Sequence, residues 1–552
     1  MTTPAAGAAG SADMPDYAPI PRSALGPALN DQGYYVGRVE RNLYWVTDGV
    51  YQSAFLATRD GVVLFDAPPS IGGNLRRAVD EIAAAFPVQQ LTALAGPSGA
   101  GRPPWSWTAS SRPPGRCSAG RRDNARTSVA SGGRMYCVAA RSAGTPIVII
   151  GGGVAGGNAA AALREEGFPG PVVLITREPG FPFGRPPLSK TYLRSEEDVS
   201  AWYVRPAGWY DDHDVELRSG PSVMAIDPAA HTVTLDSGEE LGYQKVLIAT
   251  GGRNRRLRLP GAGLPGIHYL RTGAECIAIK REAAPGRRAV VVGMGFIGCE
   301  VAASLTQLGV QVTAAFPGQA PLERVLGGQV GALIGAIHRA SGVELLPGDQ
   351  VTAFEGTERL EAVVTAAGHR IACDFAVAGV GIEPDVPPVA VAQDNGILAD
   401  ELCRASAPDV YVAGDVANHL HPLFGRIRVE HFNNAEKQGA AAARSMLGSA
   451  APYDYLHSFW SDQYEHKIEY VGHAVRWDEF VVRGSVAEGR LIGFYLVDGV
   501  VQAAAGLDRG GDPELDLDGE MAASARLVSA RARPAPAVLA DEHTDLWSLG
   551  RR

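Results

Sequence analysis

The sequence predicts an α/β protein with two Rossmann-like, doubly wound domains and a C-terminal α+β domain, preceded by an N-terminal β-rich fragment. Three observations lead to this prediction. An apolar strand, a glycine-rich turn, a helix and a second strand occur twice, about 140 residues apart, which is typical of parallel sheets covered by helices. Residues from Tyr453 to about Met521 return to short strand-like runs. The first 95 residues contain short β-rich runs separated by Asp-Gly turns.

The composition describes an ordinary globular protein of several domains. The chain has 552 residues, of which 46% are hydrophobic and 20% charged. The net charge of -10 gives no reason to expect a nucleic-acid partner. The six cysteines form no C-x-x-C pair, which favours a reducing compartment and argues against a disulfide framework. The N-terminus lacks the apolar core of a signal peptide, and the long uncharged runs are rich in Gly and Ala. We therefore expect a soluble, cytoplasmic protein with no membrane contact.

The N-terminal region divides into two parts. Three runs are predicted as strands, namely Asn42 to Thr47, Ser53 to Thr58 and Val62 to Asp66, and Leu75 to Phe86 has helical periodicity. Residues 96–144 contain eight arginines, a single acid and no Leu, Ile or Phe. Such a segment cannot bury enough apolar surface to offset the entropy lost on folding, so it is predicted as a disordered basic linker.

The first glycine-rich turn follows a fully apolar strand, Ile147 to Ile150. Three glycines fill the positions of the G-x-G-x-x-G motif: Gly151, Gly153 and Gly156. They permit a tight turn, the approach of a pyrophosphate, and close packing of helix on strand. The next helix, Ala155 to Glu166, points its positive end at the phosphates. A second strand, Val172 to Thr176, leads to Glu178, whose carboxylate is placed to hold a ribose diol. The agreement of strand, helix, spacing and acid predicts a dinucleotide site.

The second glycine-rich turn has the same pattern after the strand Ala289 to Val292. Its glycines are Gly293, Gly295 and Gly298. Two such units indicate two dinucleotides, and the economical pair is a flavin with a nicotinamide. The second strand of this unit ends at Phe316, where NADH-selective sites usually carry an acid, and no arginine adjoins it to hold a 2′-phosphate. The preference between NADH and NADPH therefore stays open, with a lean towards NADH.

We expect the chain to consist of a fragment, a linker, three domains and a tail, with the cofactor of each domain implied by a family resemblance. The predicted parts are the fragment at 1–95, the linker at 96–144, an FAD-binding domain at 145–264 and 385–450, an NAD(P)-binding domain at 265–384, a C-terminal domain at 451–525 and a mobile tail at 526–552.

From about Thr145 to the mid-520s the chain resembles the FAD-dependent ferredoxin reductases of oxygenase systems, relatives of apoptosis-inducing factor and the monodehydroascorbate reductases. Six motifs carry the resemblance in order: "RPPLSKTYL", "LIATGGRNRRLRLPG", "GMGFIGCEVAASL", "VYVAGDVA", "RVEHFNNAEKQG" and "FWSDQYEHKIEYVGHA". The resemblance implies that NAD(P)H reduces FAD, which then passes electrons singly to a [2Fe-2S] ferredoxin.

The resemblance also implies roles for individual residues. Lys190 is expected near flavin N5 and Glu300 on the nicotinamide side, and these two catalytic residues should meet beside the flavin. The other flavin-binding residues implied are Arg185 along the ring system, Thr250 and Gly251 at a turn, Asp415 on the ribitol hydroxyls and Trp460 beside the flavin. Each role has a structural alternative. Lys190 could be a surface lysine, Glu300 a solvated helix carboxylate, Asp415 a helix N-cap and Trp460 a core residue.

Departures from related families leave several alternatives open. No cysteine occurs between Cys137 and Cys276, which excludes the dithiol chemistry of glutathione-reductase-type enzymes. The arginines of "RNRRLR", Arg253 to Arg258, could dock an acidic ferredoxin, but a solvated loop is the favoured interpretation. The alternative functions are reduction of a quinone or ascorbyl radical, or an NADH-responsive binding protein similar to apoptosis-inducing factor. The sequence leaves the oligomeric state open.

The N-terminal segment 42–69, "NLYWVTDGVYQSAFLATRDGVVLFDAPP", resembles the opening of a metallo-β-lactamase-like domain. That family binds zinc through a His-rich segment after the following helix. This chain has no histidine before His213, so the hydrolase site cannot be assembled and no metal site is predicted. We interpret the segment as a truncated, inactive fragment, and a fusion or a reading-frame artefact would both leave this pattern.

Overall fold

The computed structural model describes the backbone of four strands within residues 35–65, and residues 144–195 and 198–549 with their side chains. The chain divides into two compact units, Met1–Gly133 and Arg134–Arg552. The predicted helix at 75–86 lies outside the described residues, as does all of the predicted linker except Gly144.

The described part of the first unit is an antiparallel meander of four consecutive strands. Three of them confirm the three predicted strands, and the first was not predicted. The strands are β1 (Tyr35–Glu40), β2 (Leu43–Thr47), β3 (Gln52–Thr58) and β4 (Gly61–Phe65). The resemblance of this unit to a metallo-β-lactamase-like domain stays a prediction.

The second unit opens with a five-stranded parallel sheet in which β5 is central, between β6 and β11. Every residue of β5 is at most 3% exposed, as expected of a strand covered on both faces. The elements are β5 (Ile147–Ile150), α1 (Val154–Glu165), β6 (Val172–Thr176), a 3-10 helix (Pro186–Ser189), α2 (Thr191–Arg194), a 3-10 helix (Val199–Trp202), α3 (Trp209–Asp212), β7 (Val215–Ser219), β8 (Val223–Asp227), β9 (Thr232–Leu235), β10 (Glu240–Gly242), β11 (Lys245–Ile248) and β12 (Gly252–Asn254).

A second five-stranded parallel sheet follows, in the order β13-β20-β14-β15-β16. Its first helix starts at a capping box, in which Thr272 Oγ1 accepts from the Glu275 amide and Glu275 accepts from the Thr272 amide. The elements are β13 (Ile267–His268), α4 (Gly273–Glu282), β14 (Arg288–Val292), α5 (Phe296–Gln307), β15 (Gln311–Phe316), α6 (Glu323–Ala340), β16 (Glu344–Pro347), β17 (Val351–Glu355), β18 (Ala362–Thr365), β19 (Arg370–Ala372), β20 (Phe375–Ala378) and β21 (Ile382–Pro384).

The chain then returns to the first sheet, so that sheet is built from two separate segments. The returning elements are β22 (Ile397–Ala399), β23 (Val410–Val412), β24 (Ala417–His421), β25 (Gly425–Arg428) and α7 (Phe432–Met446). Strand β23 pairs in parallel with β11. Helix α7 packs on α1 so closely that a Cβ at Gly439 would lie 2.1 Å from the carbonyl oxygen of Ala155. This close packing fixes the glycine turn at the start of α1.

The C-terminal part is an antiparallel five-stranded sheet, in the order β26-β27-β30-β29-β28, with helices packed on it. Its elements are β26 (Ser458–Gln463), β27 (His466–Gly472), β28 (Glu479–Ser485), β29 (Arg490–Val497), β30 (Val500–Leu507), α8 (Glu520–Ser529), α9 (Pro536–Ala540) and a 3-10 helix (Leu546–Ser548).

Residues 526–549 differ from the mobile tail that the sequence predicts. Leu527 and Leu539 are fully buried and Leu546 is 3% exposed, all in one cluster with the sheet. The buried guanidinium of Arg483 donates to the carbonyl oxygens of Asp541 at 2.5 Å and Thr544 at 2.9 Å. A few apolar anchors and one buried cation order this segment, although Ala, Arg and Pro dominate its composition.

Among the helices that the structure describes, none combines the length and the apolar character needed to cross a membrane.

Candidate active site

A cavity of about 820 Å³ opens at the carboxyl ends of β5, β6 and β11. Ligands of open α/β sheets bind at this end of the strands, and pockets for small molecules usually measure about 300–1,000 Å³. The cavity begins at the first glycine turn, Gly151–Gly153, and extends to α5 and to Trp460 on β26. Both strand–glycine-turn–helix units and the C-terminal sheet therefore contribute to its wall.

The three glycines of the first turn have different surroundings. A Cβ at Gly151 would lie 2.2 Å from the carbonyl oxygen of Ala249, and one at Gly156 would lie 1.9 Å from that of Gly151. A Cβ at Gly153 would meet no described atom within 4 Å. The first and third glycines are thus required by the protein's own packing. The second leaves space at the amino end of α1, where a phosphate group fits.

The second turn repeats this geometry at the start of α5. A Cβ at Gly293 would lie 2.7 Å from the Gly379 carbonyl oxygen, and one at Gly298 would lie 2.0 Å from that of Gly293. A Cβ at Gly295 would again meet no described atom within 4 Å. The two turns therefore present the same kind of space for a phosphate group, at the amino ends of two different helices.

Two arginine–carboxylate pairs line the polar part of the cavity. Arg185 lies 2.9 Å from Glu178, which also accepts from the Gly273 amide at 2.9 Å. Arg271 lies 2.8 Å from Asp415. The backbone carbonyl oxygen of Arg271 accepts a hydrogen bond from the Arg185 guanidinium at 2.5 Å. Burial and the neighbouring charge of Arg271 lower the pKa of Arg185. The structure thus brings the predicted residues Glu178, Arg185 and Asp415 to one cavity, together with Arg271, which was not predicted.

Two residues of the cavity wall also have buried polar atoms without partners. The hydroxyl of Thr250 and Nδ1 of His431 are buried, and neither has a hydrogen-bond partner among the described residues. An unsatisfied buried polar group is costly, which indicates that a bound molecule supplies the partner. Gly251 has a φ of 70°, and its carbonyl oxygen accepts from Asp385 at 3.0 Å where the chain returns to the first sheet. Trp460 lines the cavity edge-on to Phe432.

Lys190 and Glu300, far apart in the sequence, form an ion pair with an Nζ–Oε2 distance of 2.8 Å. They are 8% and 4% exposed, and both line the cavity. Lys190 directly follows the 3-10 helix Pro186–Ser189, and Glu300 lies on α5. The carboxylate also accepts from the hydroxyl of Ser189 at 2.5 Å and from that of Ser461 at 2.7 Å. A buried ion pair needs such additional hydrogen bonds to compensate for the loss of water.

Sequence reasoning did not identify Ser189, Ser461 or Arg271. Each serine adjoins a predicted residue within its motif, Lys190 in one case and Trp460 in the other, and this adjacency was the available signal. Arg271 directly precedes the capping box of α4, a position that by itself indicates a helix start and no ligand.

The predicted arginine cluster has acidic partners within the chain. Arg253 pairs with Glu383 at 2.8 Å and with Asp385 at 3.5 Å. Arg256 pairs with Glu275 at 3.4 Å. More than half of each arginine side chain remains exposed, so these guanidinium groups are solvated and already neutralised in part.

Two family patterns match the chain. The pattern described as "Pyridine nucleotide-disulphide oxidoreductase" matches residues 145–439, and the pattern described as "Reductase C-terminal" matches residues 458–550.

Curated relatives match the same region. The chain is 36% identical to the chlorobenzene dioxygenase ferredoxin reductase component of Cupriavidus sp. (strain PS12), over 74% of this chain and 98% of that protein. It is 38% identical to the anthranilate 1,2-dioxygenase system ferredoxin–NAD(+) reductase component of Burkholderia cepacia, over 72% of this chain and 97% of that protein.

A crystal structure of the covalent putidaredoxin reductase–putidaredoxin complex is similar, with a TM-score of 0.70 and 32% sequence identity. The match covers 74% of this chain and 98% of that one.

Proposed function

The chain belongs to the pyridine nucleotide-disulphide oxidoreductase family, and from this premise we propose that it is an FAD-dependent oxidoreductase that passes electrons from NAD(P)H through FAD to a [2Fe-2S] ferredoxin. One observation carries the proposal. A single cavity connects a phosphate-accepting glycine turn with the buried pair Lys190–Glu300.

The residues of the cavity fit FAD. Gly153 leaves room for the pyrophosphate at the amino end of α1, and Glu178 is placed for the adenosine ribose. Asp415 would hold the ribitol, with the unpartnered hydroxyl of Thr250 nearby in the cavity wall. Trp460 would lie beside the ring system. Bound FAD supplies the chemistry that the protein lacks, which is acceptance of a hydride and release of single electrons.

Lys190 and Glu300 supply charge and orientation. Lys190 presents a fixed positive charge within the cavity, which favours negative charge on a ring bound beside it. Glu300 holds the ammonium group in place, and its own position on α5 connects the site to the second glycine turn. Both side chains are almost fully buried, so their electrostatic effects are stronger than they would be in water.

The second glycine turn is the proposed site of the nicotinamide cofactor. Gly295 leaves space for a pyrophosphate at the amino end of α5, and Phe296 and Ile297 of this helix reach the FAD cavity. Strand β15 ends at Phe316, which is 3% exposed, so this position supplies no carboxylate for a ribose. The lean towards NADH therefore remains part of the proposal and is tested by comparing the two nucleotides.

The proposal excludes thiol chemistry at the site and includes a cytoplasmic location. Cys276, Cys299, Cys373 and Cys403 are buried free thiols. Burial raises the pKa of Cys276 to about 12 and that of Cys299 well above its usual value. Such thiols are poor nucleophiles. The absence of disulfides among these four cysteines is in keeping with a reducing compartment.

The relatives support a ferredoxin as the electron acceptor, because they are named as ferredoxin reductase components of oxygenase systems. The test is steady-state reduction of cytochrome c by NADH and by NADPH, with and without an added [2Fe-2S] ferredoxin. We expect a rate that increases with ferredoxin and saturates. A rate that ferredoxin leaves unchanged while quinone raises it would favour the small-acceptor alternative. No turnover, combined with a nucleotide-dependent change in oligomeric state, would favour the binding-protein alternative.

A further inference from the structure

The carboxylate of Glu300 is held by side chains from two other segments of the chain. Ser189 and Lys190 engage Oε2, while the hydroxyl of Ser461 donates to Oε1 at 2.7 Å. Ser461 belongs to β26 in the C-terminal sheet, 161 positions from Glu300, and is fully buried. Among the residues that the structure describes, Ser461 donates the hydrogen bond to this second carboxylate oxygen.

A chain of buried hydrogen bonds continues behind Ser461. Gln463 Nε2 donates to Ser461 Oγ at 3.2 Å, and Gln463 Oε1 lies 3.0 Å from His338 Nε2. His338 Nδ1 lies 2.9 Å from the hydroxyl of Tyr464. His338 is fully buried on α6, and Gln463 is 2% exposed. This series of hydrogen bonds thus joins the C-terminal sheet to helices α5 and α6.

The hydrogen bonds of this chain have one direction. Burial lowers the pKa of His338 to about 4, so its imidazole is neutral and carries one N–H. The amide oxygen of Gln463 can only accept, which assigns this hydrogen to Nε2 and makes Nδ1 the acceptor from Tyr464. Ser461 accepts from Gln463, and its own hydrogen points to Glu300. Burial raises the pKa of Tyr464 to about 12, so this phenol stays protonated.

We propose that Ser461 is a positioning residue for the Lys190–Glu300 pair, with Gln463 and His338 fixing the direction of its hydroxyl. The inference rests on the proposed function, because the pair acts on a bound flavin. Without the Ser461 hydroxyl, Glu300 Oε1 is a buried carboxylate oxygen that has lost a donor, and the carboxylate holds Lys190 less firmly. The C-terminal sheet thereby helps to fix the position of the charged pair Lys190–Glu300.

The experiment uses the full chain with FAD bound and compares Ser461→Ala, Ser461→Thr and Ser458→Ala. Ser458 is the matched control, because it is a buried serine on the same strand whose hydroxyl donates to Glu514 at 2.9 Å. Stopped-flow flavin reduction by NADH and the flavin midpoint potential are measured. In Ser461→Ala we expect NADH to reduce the flavin about ten-fold more slowly. The flavin midpoint potential should be lower and the FAD content unchanged. Ser461→Thr should recover most of the rate, and Ser458→Ala should match the wild type.

A second background separates positioning from general loss of packing. In a Glu300→Gln chain, Ser461→Ala should cause little further change, because its partner charge is already absent. An equal effect in both backgrounds, or a Ser461→Ala chain that behaves like Ser458→Ala, would overturn the inference. If Ser461→Ala fails to fold, Gln463→Leu provides the same test. We expect Gln463→Leu to slow flavin reduction less than about ten-fold, and an unchanged rate would overturn the inference. A wild-type chain that neither nucleotide reduces would instead contradict the proposed function.

Discussion

At the Lys190–Glu300 pair, two opposite charges lie 2.8 Å apart where little water reaches them. Loss of one partner from a buried pair leaves the other charge without compensation, at a cost of about 3–5 kcal/mol. Ser189 and Ser461 also stabilise the negative charge of Glu300, because each donates a hydrogen bond to its carboxylate. The pair, its two serines and the bound cofactors should therefore respond to substitution as one unit.

Substitution of the pair tests this coupling. Lys190→Ala should slow flavin reduction and lower the flavin potential at unchanged FAD content, because a positive charge near the ring is lost. Glu300→Gln should weaken nicotinamide binding and leave Lys190 without its charge partner, which also slows flavin reduction. The double variant should be milder than the sum of the single variants, with a coupling of about 0.5–3 kcal/mol in stopped-flow reduction rates.

A lysine outside the cavity is the control for this cycle. Lys437→Ala removes an ion pair with Glu436 on α7 and should leave the reduction rate unchanged. Strictly additive effects of Lys190→Ala and Glu300→Gln would mean that the two residues do not act together on the flavin.

The sequence could place the charged pair Lys190–Glu300 and could not place the two serines that hold it. Lys190 and Glu300 lie in long motifs, so a resemblance was enough to predict that they meet. Serine is common, and its role depends on which side chain the fold brings near. Nothing in the motif around Ser461 indicates a partner 161 positions away.

The two glycine turns permit a test at the scale of secondary-structure elements. Gly153→Val should fold but lose FAD, because its side chain enters space that no described atom of the protein occupies. Gly295→Val should keep FAD and raise the KM for NAD(P)H. Gly156→Val should instead destabilise the fold, because its Cβ would lie 1.9 Å from the Gly151 carbonyl oxygen. Flavin absorbance per chain, circular dichroism and steady-state kinetics distinguish the three outcomes.

Equal loss of flavin and of fold in Gly153→Val and Gly156→Val would show that the turn has only a packing role.

The C-terminal helices provide the second test at this scale. A chain that ends at residue 525 loses Leu527, Leu539 and Leu546, each of which contributes about 1.5–3 kcal/mol when buried. It also leaves the buried guanidinium of Arg483 without the carbonyl oxygens it donates to. Thermal unfolding should begin at a markedly lower temperature. Leu515→Ala, at a side chain that is 57% exposed, is the control and should change the Tm little. An unchanged Tm in the shortened chain would restore the interpretation of a mobile tail.

Periodicity and composition explain which elements the sequence could predict. The strand–turn–helix units at β5–α1 and β14–α5 are strongly patterned, and the structure confirms the strands and helices predicted there. Strand β1 was missed because Tyr35–Glu40 includes a glycine and two charged residues, and so lacks a clear β pattern. The C-terminal helices were missed because their few leucines are separated by small and charged residues.

At the scale of the whole molecule, the proposed activity belongs to the second compact unit. The curated relatives match about three quarters of this chain while covering nearly all of their own length. A variant that begins at Gly144 should therefore keep its FAD and nearly all of its NAD(P)H-dependent reduction of an artificial dye. The measurement compares flavin content and rate per flavin with those of the full chain. Loss of FAD would show that the first 143 residues support the flavin site.

The presence and reduction of FAD test the central claim most directly. The full chain is purified, its absorbance spectrum recorded, and the protein titrated anaerobically with NADH and, separately, with NADPH. We predict a yellow protein with about one FAD per chain, released by acid, whose flavin absorbance is bleached by at least one of the two nucleotides. A colourless protein that added FAD does not reconstitute, or a bound flavin that neither nucleotide bleaches, would contradict the account.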